Sequence, residues 1–317
     1  MEAVRDLYWD EVENLVQNNI CVLGTGTHGT AYLVRWGGET AVLKVAHKSH
    51  AVRSFWQETE ALLRLDGAGG APRVTGFCND PPAILQEFKG LVTLEDILNQ
   101  LHDERETRYN LIEVGLRIGE QLEDFHRSGL IHNDLKRDNI LVNGSPSNPQ
   151  VSIIDVGLAC YSHENIRCNS DPNKFPWMAP EVCLGQESTR ASDTYSYGVL
   201  LSKLAVKAPG YHPDVFALAL QATEYNPYHR ISLPNLLHRL RGLLRHNQIE
   251  LRDRAMRHRA TRHRTTRYRY QIELRDRAMR HSATRHRTTR YRYQIELRDR
   301  QLQDTELRDT DTKQSGH

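Results

Sequence analysis

The chain is expected to fold as an α+β protein with a small strand-rich front, a larger helical back and a low-complexity C-terminal extension. Three observations predict this. Short β-prone runs punctuated by glycine fill residues 20–46 and recur at 83–88. Helical spacing of apolar residues dominates beyond residue 95. From residue 248 onward the sequence repeats itself and offers few apolar side chains.

In chain order, Val4, Leu7, Tyr8, Val12 and Leu15 space residues 2–17 as a short N-terminal helix, taken as a separate segment over residues 1–19. Residues 20–23, 30–36 and 40–46 read as strands, and Gly37-Gly38 between the second and third is a hairpin signal. Residues 51–65 have helical spacing and 83–88 form another strand. Helices are expected over 111–128, 192–207, 213–224 and 232–245.

Charge divides the chain. Residues 1–247 carry 23 Lys and Arg against 30 Asp and Glu, whereas residues 248–317 carry 19 against 10. A mildly acidic body therefore precedes a basic tail. Residues 248–270 recur at 271–293 with Ser282 in place of Arg259, and a third copy breaks off after Arg300. Ile249, Leu251 and Met256 are followed by alternating Arg, His, Thr and Tyr, too little apolar surface to offset chain entropy, so residues 247–317 are expected to be a solvated helix or disordered. Residues 248–293 hold 15 Arg and 4 acids with Tyr268, Tyr270, Tyr291 and Tyr293 interleaved. Such a segment suits a nucleic acid or an acidic surface, against the plainer reading of a soluble extension. Thr265 and Thr288 are candidate sites of modification in cis.

The five cysteines are scattered and form no CxxC pair, which argues against a zinc site or a disulfide framework and for a reducing compartment. The start lacks the basic-then-apolar run of a signal peptide, and no apolar stretch approaches the length of a membrane helix. The expectation is a soluble chain in the cytoplasm or nucleus.

The chemistry begins with Gly24-Thr25-Gly26-Thr27-His28-Gly29. Glycines let backbone N–H groups approach phosphate oxygens. A dinucleotide site would need a helix next. Thr30-Ala31-Tyr32-Leu33-Val34 is β-prone instead, so the glycines sit at a hairpin tip. Ala41-Val42-Leu43-Lys44 is a strand ending in a cation suited to phosphates. Glu58 lies in a helical stretch with Leu62 and Leu65 facing inward and can hold Lys44; Glu60 is a rival for that role. The most informative segment is Leu130-Ile131-His132-Asn133-Asp134-Leu135-Lys136-Arg137-Asp138-Asn139-Ile140-Leu141-Val142, followed by Ile153-Ile154-Asp155-Val156-Gly157. Phosphoryl transfer needs a carboxylate near the acceptor hydroxyl and oxygen ligands for Mg²⁺. Asp134 can supply the first, Asn139 and Asp155 the second.

With these motifs in this order, the chain resembles the protein kinases over about residues 20–246. Ala179-Pro180-Glu181 after Trp177-Met178 resembles the end of an activation segment. Residues 192–201 resemble the buried helix beneath the catalytic loop, and Arg230 resembles the partner of Glu181. The resemblance implies a bilobal fold, with a β-rich N-lobe over about 20–88 and a helical C-lobe over about 89–246. It implies MgATP between the lobes and a protein substrate. Leu23, Ala31, Val42 and Leu141 would sandwich the adenine; Gln86 would be the gatekeeper; Glu87, Phe88 and Lys89 would form the hinge. Gly24, Gly26 and Gly29 would cover the phosphates. Lys44 would contact the α- and β-phosphates and pair with Glu58. Asp134 would take the acceptor proton, Lys136 would neutralise the γ-phosphate, and Asn139 and Asp155 would bind Mg²⁺.

The sequence departs from the family pattern in several places. Asn133 stands where most kinases have arginine and cannot make a charge-assisted pair with a phosphate. Val156 replaces a common phenylalanine, which is expected to loosen the packing against the Glu58 helix. The stretch from Lys207 to Val215 is too short for the usual extra helix. Lys136 resembles the Ser/Thr-specific catalytic loop, whereas Lys174-Phe175-Pro176-Trp177-Met178 resembles a shortened tyrosine-kinase segment. The whole pattern is most similar to the tyrosine-kinase-like branch of Ser/Thr kinases, and Ser/Thr acceptors are favoured. Competing readings are a tyrosine-specific kinase, a pseudokinase scaffold and a small-molecule kinase of the aminoglycoside or choline type. The last lacks counterparts of Ala179–Glu181 and Arg230.

Overall fold

A computed structural model describes residues 4–246, apart from residues 27, 48–51, 103–106, 167–170 and 211. The repeat tail, with its expected helix or disorder, its nucleic-acid role and its modification sites, lies outside the described residues.

The N-lobe holds a sheet of six strands: β1 (Arg5–Asp6), β2 (Cys21–Thr25), β3 (Gly29–Trp36), β4 (Glu39–Ala46), β5 (Val74–Asn79) and β6 (Pro82–Glu87), in the order β1-β5-β6-β4-β3-β2. Gly37 and Gly38 turn β3 into β4 with φ of +58° and +89°, values that glycine adopts without a Cβ clash. The expected helix over 2–17 is corrected: only α1 (Trp9–Gln17) is helical, and β1 pairs in parallel with β5, Arg5 opposite Gly76. Leu7 donates its backbone N–H to Phe77 at 2.8 Å and is buried. Its side chain gains an apolar face while its backbone satisfies an open sheet edge, and this tertiary gain outweighs helical spacing.

Alternation along β4 sends Ala41 and Leu43 to the outer face of the sheet, where they pack with Leu7, Val12, Val34 and Leu85 under α1. Val42 and Lys44 therefore face the other way. On that inner side α2 (Val52–Leu65) buries Phe55, Leu62 and Leu65 against Phe77, Ile84 and Val156.

The C-lobe contains α3 (Leu94–His102), α4 (Leu111–Arg127), β7 (Leu130–Ile131), β8 (Ile140–Ser145), β9 (Asn148–Ile153), β10 (Cys160–Tyr161), α5 (Pro180–Cys183), α6 (Arg190–Lys207), α7 (Pro213–Ala222) and a final helix, α8, over residues 233–246. The β8–β9 hairpin joins the segment around Asp134 and Asn139 to the one that carries Asp155. The central helix, α6, lies close to its neighbours. Tyr197 donates its hydroxyl to Gly115 of α4 at 2.8 Å, and a Cβ at Gly198 would lie 2.7 Å from that of Ala222 on α7. Residues 208–212 suffice to join α6 to α7, whose Val215, Leu218 and Ala219 are core residues. The segment after Lys207 thus leads directly into a core helix.

Glu181 and Arg230 form a buried two-point ion pair at 2.6 and 2.7 Å. Ser192 adds a hydroxyl to Glu181, and the carbonyls of Glu224, Tyr225 and Ala191 take the remaining guanidinium protons. Because every donor is used, the pair withstands its desolvation. Replacing Arg230 by Met leaves a buried carboxylate alone. Urea unfolding of that variant is expected to show a loss of about 3–5 kcal/mol.

Candidate active site

Three segments meet at the cleft between the lobes. From the N-lobe come the glycine loop and Lys44. The Lys44 ammonium is paired directly with Glu58 Oε1 and lies 3.7 Å from Asp155 Oδ1. Glu58 is buried and Glu60 is exposed, which settles the rivalry between them. Burial works against the lysine charge, but the attraction of Glu58 and Asp155 exceeds it and raises the Lys44 pKa. Lys44 in turn holds the Asp155 carboxyl below its ordinary range against a smaller opposing effect of burial. Val156 is fully packed between α2 and the C-lobe, among Phe55, Leu62 and Phe125. The Lys44–Glu58 pair is closed beside it.

The catalytic loop hangs from one buried carboxylate. Asp193 of α6 accepts from the backbone N–H groups of His132 and Asn133 at 2.7 and 2.8 Å and bonds His126 Nε2 at 2.8 Å. Burial opposes its charge, yet these bonds keep its pKa low. Asn133 and Asp155 adopt left-handed backbone conformations, with φ of +66° and +62°. Each costs on the order of 1–2 kcal/mol and persists only where surrounding bonds dictate it. The Asn133 amide donates to Leu158 O at 3.0 Å, tying the loop to the segment after Asp155.

Asp134 is thereby presented to the cleft. Its Oδ2 accepts from Asn139 Nδ2 and Lys136 Nζ, both at 3.0 Å, and its Oδ1 from Trp177 Nε1 at 2.8 Å. Asn139 Nδ2 also donates to Asp134 O at 2.8 Å. With the amide nitrogen committed, the amide oxygen is the end of Asn139 available to a cation. Together with the Asp155 carboxylate it makes an all-oxygen pair of the kind that suits Mg²⁺.

The residues expected to flank adenine are placed as follows. Val42 pairs with Leu33 and Gln86 across the sheet, Ala31 pairs with Lys44, and Leu141 bridges to Thr93 from below. Leu23 is partly exposed at the entrance. Gln86 Oε1 is buried without a hydrogen-bond partner among the described residues, an acceptor left for a ligand. Only one loop glycine is demanded by packing: a Cβ at Gly29 would lie 2.4 Å from Val45 O, whereas the space above Gly24 is open and at Gly26 the nearest atom is 4.0 Å away. The Glu87 and Lys89 side chains bind each other at 2.5 Å, and Lys89 O is held by the Asn143 amide.

The sequence does not reveal the hinge clamp from Asn143 or the contact from Trp177. An aromatic residue just before Met178 is the one signal for the latter, and it carries no direction. Lys174, at the position where a threonine is common, is exposed, and Trp177 reaches Asp134 instead.

A two-lobed fold with a lysine–glutamate pair above and an aspartate–asparagine–aspartate set below defines a phosphotransferase cleft. Residues 18–238 match the family model of the protein kinase domain, and the chain belongs to the protein kinase family. It is 27% identical over 255 residues to a probable serine/threonine-protein kinase of Dictyostelium discoideum, covering 70% of this chain and 41% of that protein. The chain thus spans less than half the length of the curated relative it matches. Protein kinase domains use ATP with Mg²⁺.

The charge cluster has a defined pH window. Asp155 has a depressed pKa, so its contribution is complete above the ordinary 3.8 and fades as pH falls through the lowered value. Lys44 has a raised pKa, so its contribution is complete below 10.5 and fades as pH climbs through the raised value. Lys44→Met should lower stability by about 1–3 kcal/mol. That difference, read by urea unfolding, should stay constant between about pH 6 and 9 and narrow only outside this range.

Proposed function

We propose that this chain is a Ser/Thr protein kinase that transfers the γ-phosphoryl group of MgATP to a protein hydroxyl. The observation that carries the proposal is the convergence of Asp134, Asn139 and Asp155 beneath the Lys44–Glu58 pair.

Leu23, Ala31, Val42 and Leu141 clasp the adenine between the lobes, with the Glu87 carbonyl and Lys89 N–H as the hinge groups for its edge. The open backbone at Gly24 and Gly26 admits the phosphates, and Gly29 keeps the loop close to β4. Lys44, fixed by Glu58, orients the α- and β-phosphates. Asn139 and Asp155 would hold magnesium, which would supply positive charge to offset that of the phosphate oxygens. Asp134 orients the acceptor hydroxyl and takes its proton as the acceptor oxygen bonds to the γ-phosphorus. The bond from that phosphorus to the bridging oxygen breaks, and ADP leaves. Lys136 stabilises charge on the phosphoryl oxygens. The site thus works by orientation and preorganised charge.

Lys136 beside Asp134 supports Ser/Thr acceptors, as does the name of the Dictyostelium relative. Asn133 supports activity that needs no activation-segment phosphate, since its amide offers no charge to receive one.

Radiolabel transfer from ATP to a peptide array should label Ser or Thr peptides, and Asp134→Asn should reduce incorporation by about 10²-fold or more. Phosphatase treatment beforehand should leave the rate unchanged. Equal incorporation by the Asn variant would sink the enzyme reading and favour a scaffold.

A further inference from the structure

The Asp134 carboxylate has donors from two sources. Asn139 and Lys136 belong to its own loop and both bind Oδ2. The third donor, the Trp177 indole N–H, comes from 43 residues downstream and binds Oδ1 at 2.8 Å. An indole N–H only donates, so it cannot compete for the acceptor proton, and Oδ1 keeps a second lone pair for the hydroxyl. A carboxylate is otherwise soft about its last torsion, which is broad and two-fold. The indole fixes it from the side opposite Asn139.

Trp177 is itself held rigidly. Phe175 packs edge-on against its ring at 5.6 Å between centroids, and the Lys136 ammonium lies 5.5 Å from the ring centre. The next residues, Met178 and Ala179, are buried with Val182 and Cys183, and Glu181 is clamped by Arg230. The indole therefore links the placement of residues 175–183 to one oxygen of Asp134.

We propose that Trp177 is a positioning residue for Asp134, coupling an ordered activation segment to proton acceptance through a neutral hydrogen bond. The proposal rests on the kinase reading above. It gives Asn133 a counterpart: where no guanidinium links the catalytic loop to a phosphate, the linkage runs through an indole.

The test uses the full chain with Trp177→Phe, which keeps an aromatic ring against Phe175 and Lys136 and removes only the donor. Peptide kcat should fall about tenfold, since small misplacements of a reacting group cost one to two orders of magnitude. The KM for ATP should be unchanged, and the melting midpoint should stay within about 2 °C of the parent. In an Asp134→Ala background, where no carboxylate remains to be positioned, single-turnover transfer should not change further on adding W177F. A W177F enzyme as fast as the parent would overturn the proposal. So would a tenfold loss that persists in the Asp134→Ala background, or a loss that arrives with a raised ATP KM and a lowered midpoint. Absence of transfer by the parent chain would instead defeat the functional reading itself.

Discussion

The site depends on a carboxylate that never touches substrate. Asp193 sits in the first turn of α6 with no solvent exposure and spends its oxygens on two successive backbone N–H groups and one imidazole. An unpaired charge at that depth would be prohibitive, so the loop must close onto it. Closing the loop places His132 against Phe125, drives Asn133 into the left-handed region and leaves Asp134 as the next residue to emerge. The His132 ring continues the chain of constraint: Nδ1 accepts from Asp134 N at 3.2 Å while Nε2 reaches Ile154 O at 3.2 Å, next to Asp155. One buried charge thus fixes two segments of the cleft.

The upper half is governed by a different balance. Lys44 is presented by strand alternation, Glu58 by a helix whose residues on the same face, Phe55, Leu62 and Leu65, are core residues. The ion pair is closed because α2 is packed, and α2 is packed partly on Val156, the residue after Asp155. Apolar contact and charge alignment reinforce each other here: shifting α2 would both open a cavity near Val156 and leave Glu58 buried without its cation.

Much of this was legible in the sequence because the signals were local. β-prone runs between glycines marked β3 and β4, Gly37-Gly38 marked their turn, and the spacing of Leu62 and Leu65 marked the buried face of α2 and with it Glu58. Ordered motifs identified Asp134, Asn139 and Asp155. What stayed hidden involved long separations or competing solutions. Residues 5–6 became a strand because a sheet edge 71 residues away was open to Arg5. β5 was unreadable because Thr75, Gly76 and Asn79 interrupt its pattern, and pairing with β6 supplies what propensity lacks. Trp177 could be recognised as part of a motif, but nothing in a linear string says that its indole turns toward Asp134.

The character of the activation segment follows from these constraints. Its attachment to the catalytic loop uses Asn133 to Leu158 and Trp177 to Asp134, both neutral donors, together with the β7–β10 ladder. Its far end is anchored by Met178, Ala179, Val182 and Cys183 and by the Glu181–Arg230 pair. None of these contacts needs an added phosphate. The described residues of the segment are held by burial, hydrogen bonds and that ion pair, all encoded in the chain. The same contacts support Asp134: a substitution that weakens α6 or Arg230 weakens its support along with the fold, even though it lies outside the cleft. In a kinase ordered by a phosphate on a guanidinium, those two properties can be separated by a modifying enzyme. On the proposal that no activation-segment phosphate is needed, the same buried contacts carry both here.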